Sequence, residues 1–384
     1  MFAGRFSASI GLVGIDIGAR AIKMLQLREH GRRLRVVGAG RVDLHDTESG
    51  TGDSHTLVEQ LRGAIGSGGF TGRKCVVSLP RTALRVQSVR LPRMPLEELR
   101  QAAAWEASQR FGFDRNAMEV DVIRTGAELQ GGENRQEVLL IVAPHDAMST
   151  WLEPVMAAGL RPIAVETHFT ALARAFSPHG PGGDGQNRVR VVVDVGASGS
   201  TVMILRGTQI AFCKPIAVGG DQFDRAVAEY LQIDITAARE LRAARMAAAT
   251  GNDSGTVTTD PAIDRAGYDA VRPLLGSFCK QVILCIRYYG VAFRGHPPER
   301  LILTGGDGLE PRLGETLAEQ CKIPVEHDDD GSLPDRLGED IRRVLQRPPG
   351  PSAWWAVAAG LSLRGLSQQR LHRVRATSAR QEAA

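Results

Sequence analysis

Two short glycine turns hold the residues best suited to chemistry. The first, Asp16-Ile-Gly18-Ala19-Arg-Ala-Ile-Lys23, supplies a carboxylate, a glycine turn and a lysine. The second, Asp194-Val-Gly196-Ala197-Ser198-Gly-Ser200-Thr201, supplies another carboxylate, two glycines and three hydroxyls. Phosphates are held by backbone N–H groups, and glycine turns present them because the chain can approach closely there. Mg2+ favours carboxylates, often through water, which makes Asp16 and Asp194 the metal-side candidates. A third turn, Thr304-Gly305-Gly306-Asp-Gly, follows an apolar strand and would let an adenine or ribose lie flat against the backbone. A fourth, Val218-Gly219-Gly220-Asp, opens a helix, and a helix N-terminus is an anion site. Taken singly, each is also an ordinary turn, since Asp and Gly dominate turns. In combination they point to a nucleotide.

The elements around the turns repeat. Residues 12–17 read as a buried strand ending in the first glycine turn, followed by strands over 21–28 and 34–42. A helix over 57–65 and a short apolar strand over 75–79 come next. The same opening recurs as strands over 189–195, 201–206 and 209–217. Helices are expected from Gly219-Gly220 to Leu231, over 236–249 and over 268–293, with a strand at 301–304 before the third turn. Residues 177–187 are rich in Gly and Pro and are expected to be a hinge. Two halves that each begin strand, Asp-x-Gly, strand suggest two like domains facing a cleft.

Composition narrows the class. The chain of 384 residues is 43% hydrophobic and 23% charged, ordinary for a globular protein with a sizeable core. A net charge of +4 is too small to suggest nucleic-acid binding. The five cysteines lack metal-site spacing, which fits small buried hydrophobes in a reducing compartment. No stretch approaches a membrane span and no secretory leader is seen, so a cytoplasmic location is expected, with membrane contact only through a partner. Asp328-Asp329-Asp330 reads as a solvated acidic turn. The basic end over 368–384 reads as a disordered tail.

The order of the turns resembles the actin, sugar-kinase and heat-shock ATPase superfamily. Within it, residues 12–367 are similar to the type IV pilus assembly PilM family, a relative of the division protein FtsA. That likeness rests also on Val77-Ser-Leu-Pro80, on Val89-Arg-Leu-Pro92-Arg-Met-Pro95, on Trp105-Glu106 and on Phe111-Gly-Phe113-Asp114. It continues through Ala143-Pro-His-Asp146, Ala158-Gly-Leu160-Arg-Pro162 and Ala358-Ala-Gly-Leu361-Ser-Leu-Arg364.

The resemblance implies an α/β, actin-like ATPase fold: two duplicated RNase H-like domains facing a nucleotide cleft, each with a small inserted subdomain. The expected parts are a first core over 11–80 with 165–188 and 352–367, carrying an insert over 81–164. The second core covers 189–225 with 300–351 and has a subdomain over 226–299. ATP with Mg2+ is the implied cofactor. Turnover is expected to be weak at most. The implied partners are the cytoplasmic N-terminal peptide of a PilN-like inner-membrane protein and other pilus platform proteins, with room for a homo-oligomer and no nucleic acid.

Some positions depart from the family pattern. Ala19 and Ala21 stand where hydroxyl residues are usual, which leaves the N–H groups but removes hydroxyl contacts of about 1 kcal/mol each. Arg239 and Arg242 stand where a Glu and a Lys would meet the nucleoside, and an arginine there can cover a phosphate or stack on a base. Glu166 begins a segment similar to the hinge helix of chaperone ATPases. It reads either as a weak general base or outer ligand of Mg2+, or as a carboxylate set against the helix dipole. The catalytic candidates are Asp16, Glu166 and Asp194. The nucleotide-binding candidates are Asp16, Gly18, Ala19, Lys23, Asp194, Gly196, Ala197, Ser198, Ser200, Thr201, Gly219, Gly220, Arg239, Arg242, Gly305 and Gly306. A sugar-type kinase, using Asp114, Asp121 or Asp146 as its base, and an FtsA-like filament former are the alternatives.

Overall fold

The computed structural model describes residues 9–30, 33–44, 54–125, 135–177, 188–249, 260–326 and 352–366, with parts of 337–345. The expected hinge (apart from Ser177), the acidic turn and the basic tail lie outside the described residues. The chain divides into two compact units. The first is Met1–Ala83, Pro144–Ser177 and Gly331–Ala384; the second is Leu84–Ala143 and Pro178–Asp330.

The first unit is built on a six-stranded sheet. Its strands are β1 (Ser9–Ile10), β2 (Val13–Ile17), β3 (Ala21–His30), β4 (Arg33–Asp43), β5 (Lys74–Ser78) and β9 (Arg161–Glu166). β4, β3 and β2 form an antiparallel meander, and β5 and β9 add parallel to β2 in that order. β2 is buried along its whole length, which its apolar run anticipates. Helix α1 (Ser54–Ser67) buries Leu57, Leu61 and Ile65, spaced so that they share one face. Helices α3 (His145–Ala157), α4 (His168–Ala175) and α9 (residues 356–366) complete the unit.

Two glycines explain why the Ala-Ala-Gly stretch of α9 is so small. A Cβ on Gly14 would collide with the Ala358 carbonyl, and one on Gly360 would collide with that of Ala171. Helix α9 is therefore pressed directly onto the backbones of β2 and α4. Leu12 is tied to the same helix, because the Ser362 hydroxyl donates to Leu12 O at 2.7 Å.

The second unit repeats the sheet. β12 (Gln209–Ile216), β11 (Ser200–Arg206) and β10 (Val189–Val195) form the meander, and β13 (Arg300–Thr304) and β14 (Val325–Glu326) add parallel to β10. The order β12-β11-β10-β13-β14 matches β4-β3-β2-β5-β9 strand for strand. Helices α5 (Gly220–Leu231), α6 (Ile235–Ala249), α7 (Pro261–Phe293) and α8 (Leu313–Cys321) pack around this sheet. Helix α7 starts at Pro261 rather than at Tyr268. Asp260 caps it by accepting from Ala262 N at 2.8 Å, and proline suits the first helical position.

A small sheet, β6 (Arg85–Pro92), β8 (Arg135–Pro144) and β7 (Met118–Arg124), packs against α2 (Leu96–Phe111). Its residues 84–143 group with the second unit. The buried Glu137 explains this: it accepts from Ser88 Oγ at 2.5 Å and from Tyr288 of α7 at 2.9 Å. Residues 144–164, expected in the insert, belong to the first unit, because β9 pairs with β5 and α3 lies on α1.

Candidate functional site

The two Asp-x-Gly turns are the same hairpin. In the first, Ile17 pairs with Ile22 and Gly18 N donates to Ala21 O at 3.0 Å. In the second, Val195 pairs with Ser200 and Gly196 N donates to Gly199 O at 3.1 Å. Asp16 lies opposite Lys23 across its strands, and Asp194 lies opposite Thr201. Among the described residues, no hydrogen bond engages the N–H of Ala19, Ala197 or Ser198, or the Ser198 hydroxyl. These donors suit phosphate oxygens.

In the first unit, a polar row crosses one face of the sheet. Register places Arg41, Lys23, Asp16, Ser78 and Glu166 side by side on successive strands. Lys23 Nζ lies 3.0 Å from Asp16 Oδ2 and donates to Trp354 O at 2.9 Å. Asp16 is therefore buried with its own counter-ion.

Glu166 is clasped by two guanidinium groups. Arg174 donates to both of its oxygens at 3.1 Å, Arg364 donates to Oε1, and Thr170 Oγ1 donates at 3.3 Å. Thr167, not Glu166, caps α4, and the carboxylate oxygens are already filled by partners from α4 and α9. Glu166 is an ion-pair clip between those helices.

Between the two carboxylates lies a residue that sequence reasoning passed over. The Ser78 hydroxyl is buried and has no hydrogen-bond partner among the described residues. The motif Val77-Ser-Leu-Pro80 was its only signal. His168, next to the clip, is buried, which lowers its pKa well below the ordinary value; the Arg81 charge lowers it further.

In the second unit, two glycine segments converge on the hairpin. Gly219 lies so close that an added Cβ would be 2.5 Å from Gly196 O. Gly220 N donates to Gly196 O at 3.0 Å, and Asp221 N to Ala197 O at 2.9 Å. Gly219 N donates to Gln222 Oε1 at 2.9 Å, while Gln222 N donates to Gly219 O at 3.1 Å. The expected anion site at the start of α5 is thus consumed. Its N–H groups clamp the hairpin instead of facing outward. Ser200 adds to the clamp by donating to Val218 O at 2.6 Å.

The late turn closes on the same strand end. Gly305 has φ +95°, and a Cβ there would lie 2.5 Å from Asp194 Oδ1. Thr304 pairs with Asp194 in register, and Asp307 N donates to Val195 O at 2.9 Å. Gly306 has open space where a side chain would begin.

Arg242 is placed differently from its expected role. It is 1% exposed and donates to Glu310 Oε2 at 3.0 and 2.7 Å, to Asp307 Oδ1 at 3.1 Å, to Asp224 Oδ1 at 2.5 Å and to Gly220 O at 3.0 Å. Burial alone would lower its pKa, but the charges of Glu310, Asp307 and Asp224 raise it above the ordinary value. Burial pushes the Glu310 pKa up, and Arg242 opposes that shift. This guanidinium has no donor to spare for a phosphate and no open face for a base. It ties α6 to the start of α5 and to the late turn. Arg239 is more open and pairs with Asp224 at 3.3 Å.

Asp114, Asp121 and Asp146, the kinase-type candidates, all accept from nearby backbone N–H groups, of Asn116, Val122 and Ala147. Among the described residues no cluster of three or more His, Cys, Asp or Glu could hold a metal, and no helix is long and apolar enough to cross a membrane.

Comparison with known proteins agrees with this architecture. The solved "PilM-PilN type IV pilus biogenesis complex" superposes with a TM-score of 0.70 at 22% identity, covering 92% of this chain and 98% of that one. The ethanolamine utilization protein EutJ from Carboxydothermus hydrogenoformans superposes with a TM-score of 0.51 at 13% identity, covering 92% and 89%. The fold is that of the actin-like ATPases. The model of the family described as type IV pilus assembly protein PilM matches residues 14–366, so this chain belongs to the PilM family.

Proposed function

We propose that this protein is an ATP-binding adaptor of the inner-membrane platform for type IV pilus assembly. The observation that carries the nucleotide reading is the pair of identical hairpins, with N–H groups of Ala19, Ala197 and Ser198 left open beside Asp16 and Asp194. Bound ATP would bring the phosphoryl charge, and each hairpin offers a carboxylate suited to Mg2+ through water, Asp16 in the first unit and Asp194 in the second. Ala197, Ser198 and Thr201 would hold phosphates. The backbone at Gly305 and Gly306, with Arg239, would face the nucleoside.

The partner reading comes from the family and from the PilN chain in the similar complex. The cytoplasmic N-terminal peptide of a PilN-like membrane protein is the proposed ligand, and it would hold this protein at the inner membrane from the cytoplasmic side. Nucleotide would bias the protein toward the form that grips the peptide, which requires only a difference in peptide affinity between two forms. Turnover would be slow or absent. Glu166 supports that view, since both of its oxygens are occupied by arginines and neither is free to take a proton from water.

Fluorescent ATP titrated into the protein, with Mg2+ and with EDTA, tests the nucleotide part. Saturable binding that Ser198→Pro weakens at least tenfold is expected, because proline removes an open N–H and the hydroxyl together. Binding that this variant leaves unchanged would remove the second hairpin from the site.

A further inference from the structure

Helix α7 carries a second surface, remote in sequence from both hairpins. From Ala270 to Phe293 it contains Arg272, Lys280 and Arg287 and no Asp or Glu. Lys280, Leu284, Arg287 and Val291 follow one another at spacings of four, three and four, so they form one seam along the helix, with Tyr288 at its edge. The other side of α7, with Val282, Cys285, Tyr289 and Phe293, is in the core. The seam is not. Leu284 is 59% exposed, Tyr288 39% and Val291 73%.

A lone exposed leucine means little. Three large apolar side chains on consecutive turns, alternating with cations, form a stripe. Lys280 and Arg287 make no ion pair with any described residue. Gly276 and Gly290 have nothing within 4 Å of where a side chain would begin, so the surface beside the stripe is open to close approach. Tyr288 is held in place from below, since its hydroxyl donates to the buried Glu137 and accepts from Arg90. A second copy of α7 is a poor occupant, because cations would face cations. A flat anionic membrane would meet the cations, but only three apolar side chains would enter it, and surface binding to lipid scales with the apolar area buried.

We propose that this face docks an acidic amphipathic helix of a partner protein. Aliphatic side chains of that helix would cover Leu284, Tyr288 and Val291, and its carboxylates would meet Lys280 and Arg287. Docking here does not depend on the proposed ATP and peptide functions.

The test uses the full chain and a labelled three-heptad peptide (about 21 residues) with leucine along the seam and glutamate beside it. A second peptide carries lysine in place of each glutamate. Variants Leu284→Glu and Lys280→Glu/Arg287→Glu are compared with the parent, with thermal unfolding confirming that these exposed changes leave the fold intact. The parent should bind the acidic peptide at least about tenfold more tightly than the basic one, roughly the worth of one or two close charge pairs. Leu284→Glu should abolish that binding, and the double charge reversal should switch the preference to the basic peptide. Equal binding of both peptides, no binding of the acidic peptide, or indifference to Leu284→Glu would overturn the proposal. So would binding to phosphatidylglycerol vesicles that Leu284→Glu abolishes while neither peptide binds, since that would assign the face to lipid.

Discussion

Arg242 and Glu310 are joined by two hydrogen bonds, of 3.0 and 2.7 Å, with both side chains sealed from solvent. Through Asp307 and Gly220 the same guanidinium reaches both segments that hold the second hairpin. Removing one partner of a buried ion pair leaves the others uncompensated, at a cost of about 3–5 kcal/mol. Arg242→Met should therefore lower the unfolding free energy by about that amount in a urea titration. Arg242→Lys should recover only part of it, because an ammonium cannot serve Asp224, Asp307 and Glu310 in one plane. Full stability in the methionine variant would show that the cluster is not a keystone.

Gly305→Ala should damage the late turn. Its φ of +95° is rare for a residue with a Cβ, and that Cβ would be driven against Asp194 and Val195. A loss of about 1–3 kcal/mol is expected from the backbone alone. Nucleotide affinity should fall with it, since Asp194 must move. Gly306→Ala, which has open space, serves as the control. Equal effects in the two variants would contradict the packing described.

Glu166→Gln separates a clip from a base. The clip account predicts a loss of stability of about 2–4 kcal/mol, because Arg174 and Arg364 keep their charges and lose their counter-ion. Any slow ATP hydrolysis should change less than about threefold once the variant is assayed well below its unfolding temperature. A fall of two orders of magnitude or more, the size general-base loss brings, would restore the catalytic role.

His168 gives a pH dependence with a definite sign. Its folded pKa lies well below the ordinary 6.5, so the unfolded chain binds a proton that the folded chain refuses. Stability from this group is present above about pH 6.5 and is lost as pH falls below it, by at most about 1.4 kcal/mol per unit. Between pH 7 and pH 5, His168→Gln should show a shallower fall in unfolding free energy than the parent. Parallel curves would mean that His168 takes up its proton within the fold.

Much of this fold can be read from the sequence, and the reasons are local. Buried strands such as Val13–Ile17 and Val189–Val195 are short apolar runs closed by Asp-x-Gly, and the repeated turn exposes the duplication. The chemistry around the turns is less legible because it depends on distant pairs. Arg242 meets Asp224, Asp307 and Glu310 across separations of 18, 65 and 68 residues, and Arg364 meets Glu166 across 198. Nothing near Gly219-Gly220 in sequence says that its N–H groups will face Gly196 and Ala197 rather than a ligand. Nor does the pattern of β9 alone show that it adds to the first sheet; that follows only from its pairing with β5.

The central claim is that nucleotide and partner peptide are coupled in one protein. A labelled cytoplasmic N-terminal peptide of the PilN-like protein should be titrated into the purified chain with and without Mg-ATP, with Asp194→Ala alongside. The account predicts micromolar binding, tightened about fivefold or more by Mg-ATP, with the tightening lost in the variant while basal binding persists. Peptide affinity that is the same with and without Mg-ATP, at saturating nucleotide, would contradict it.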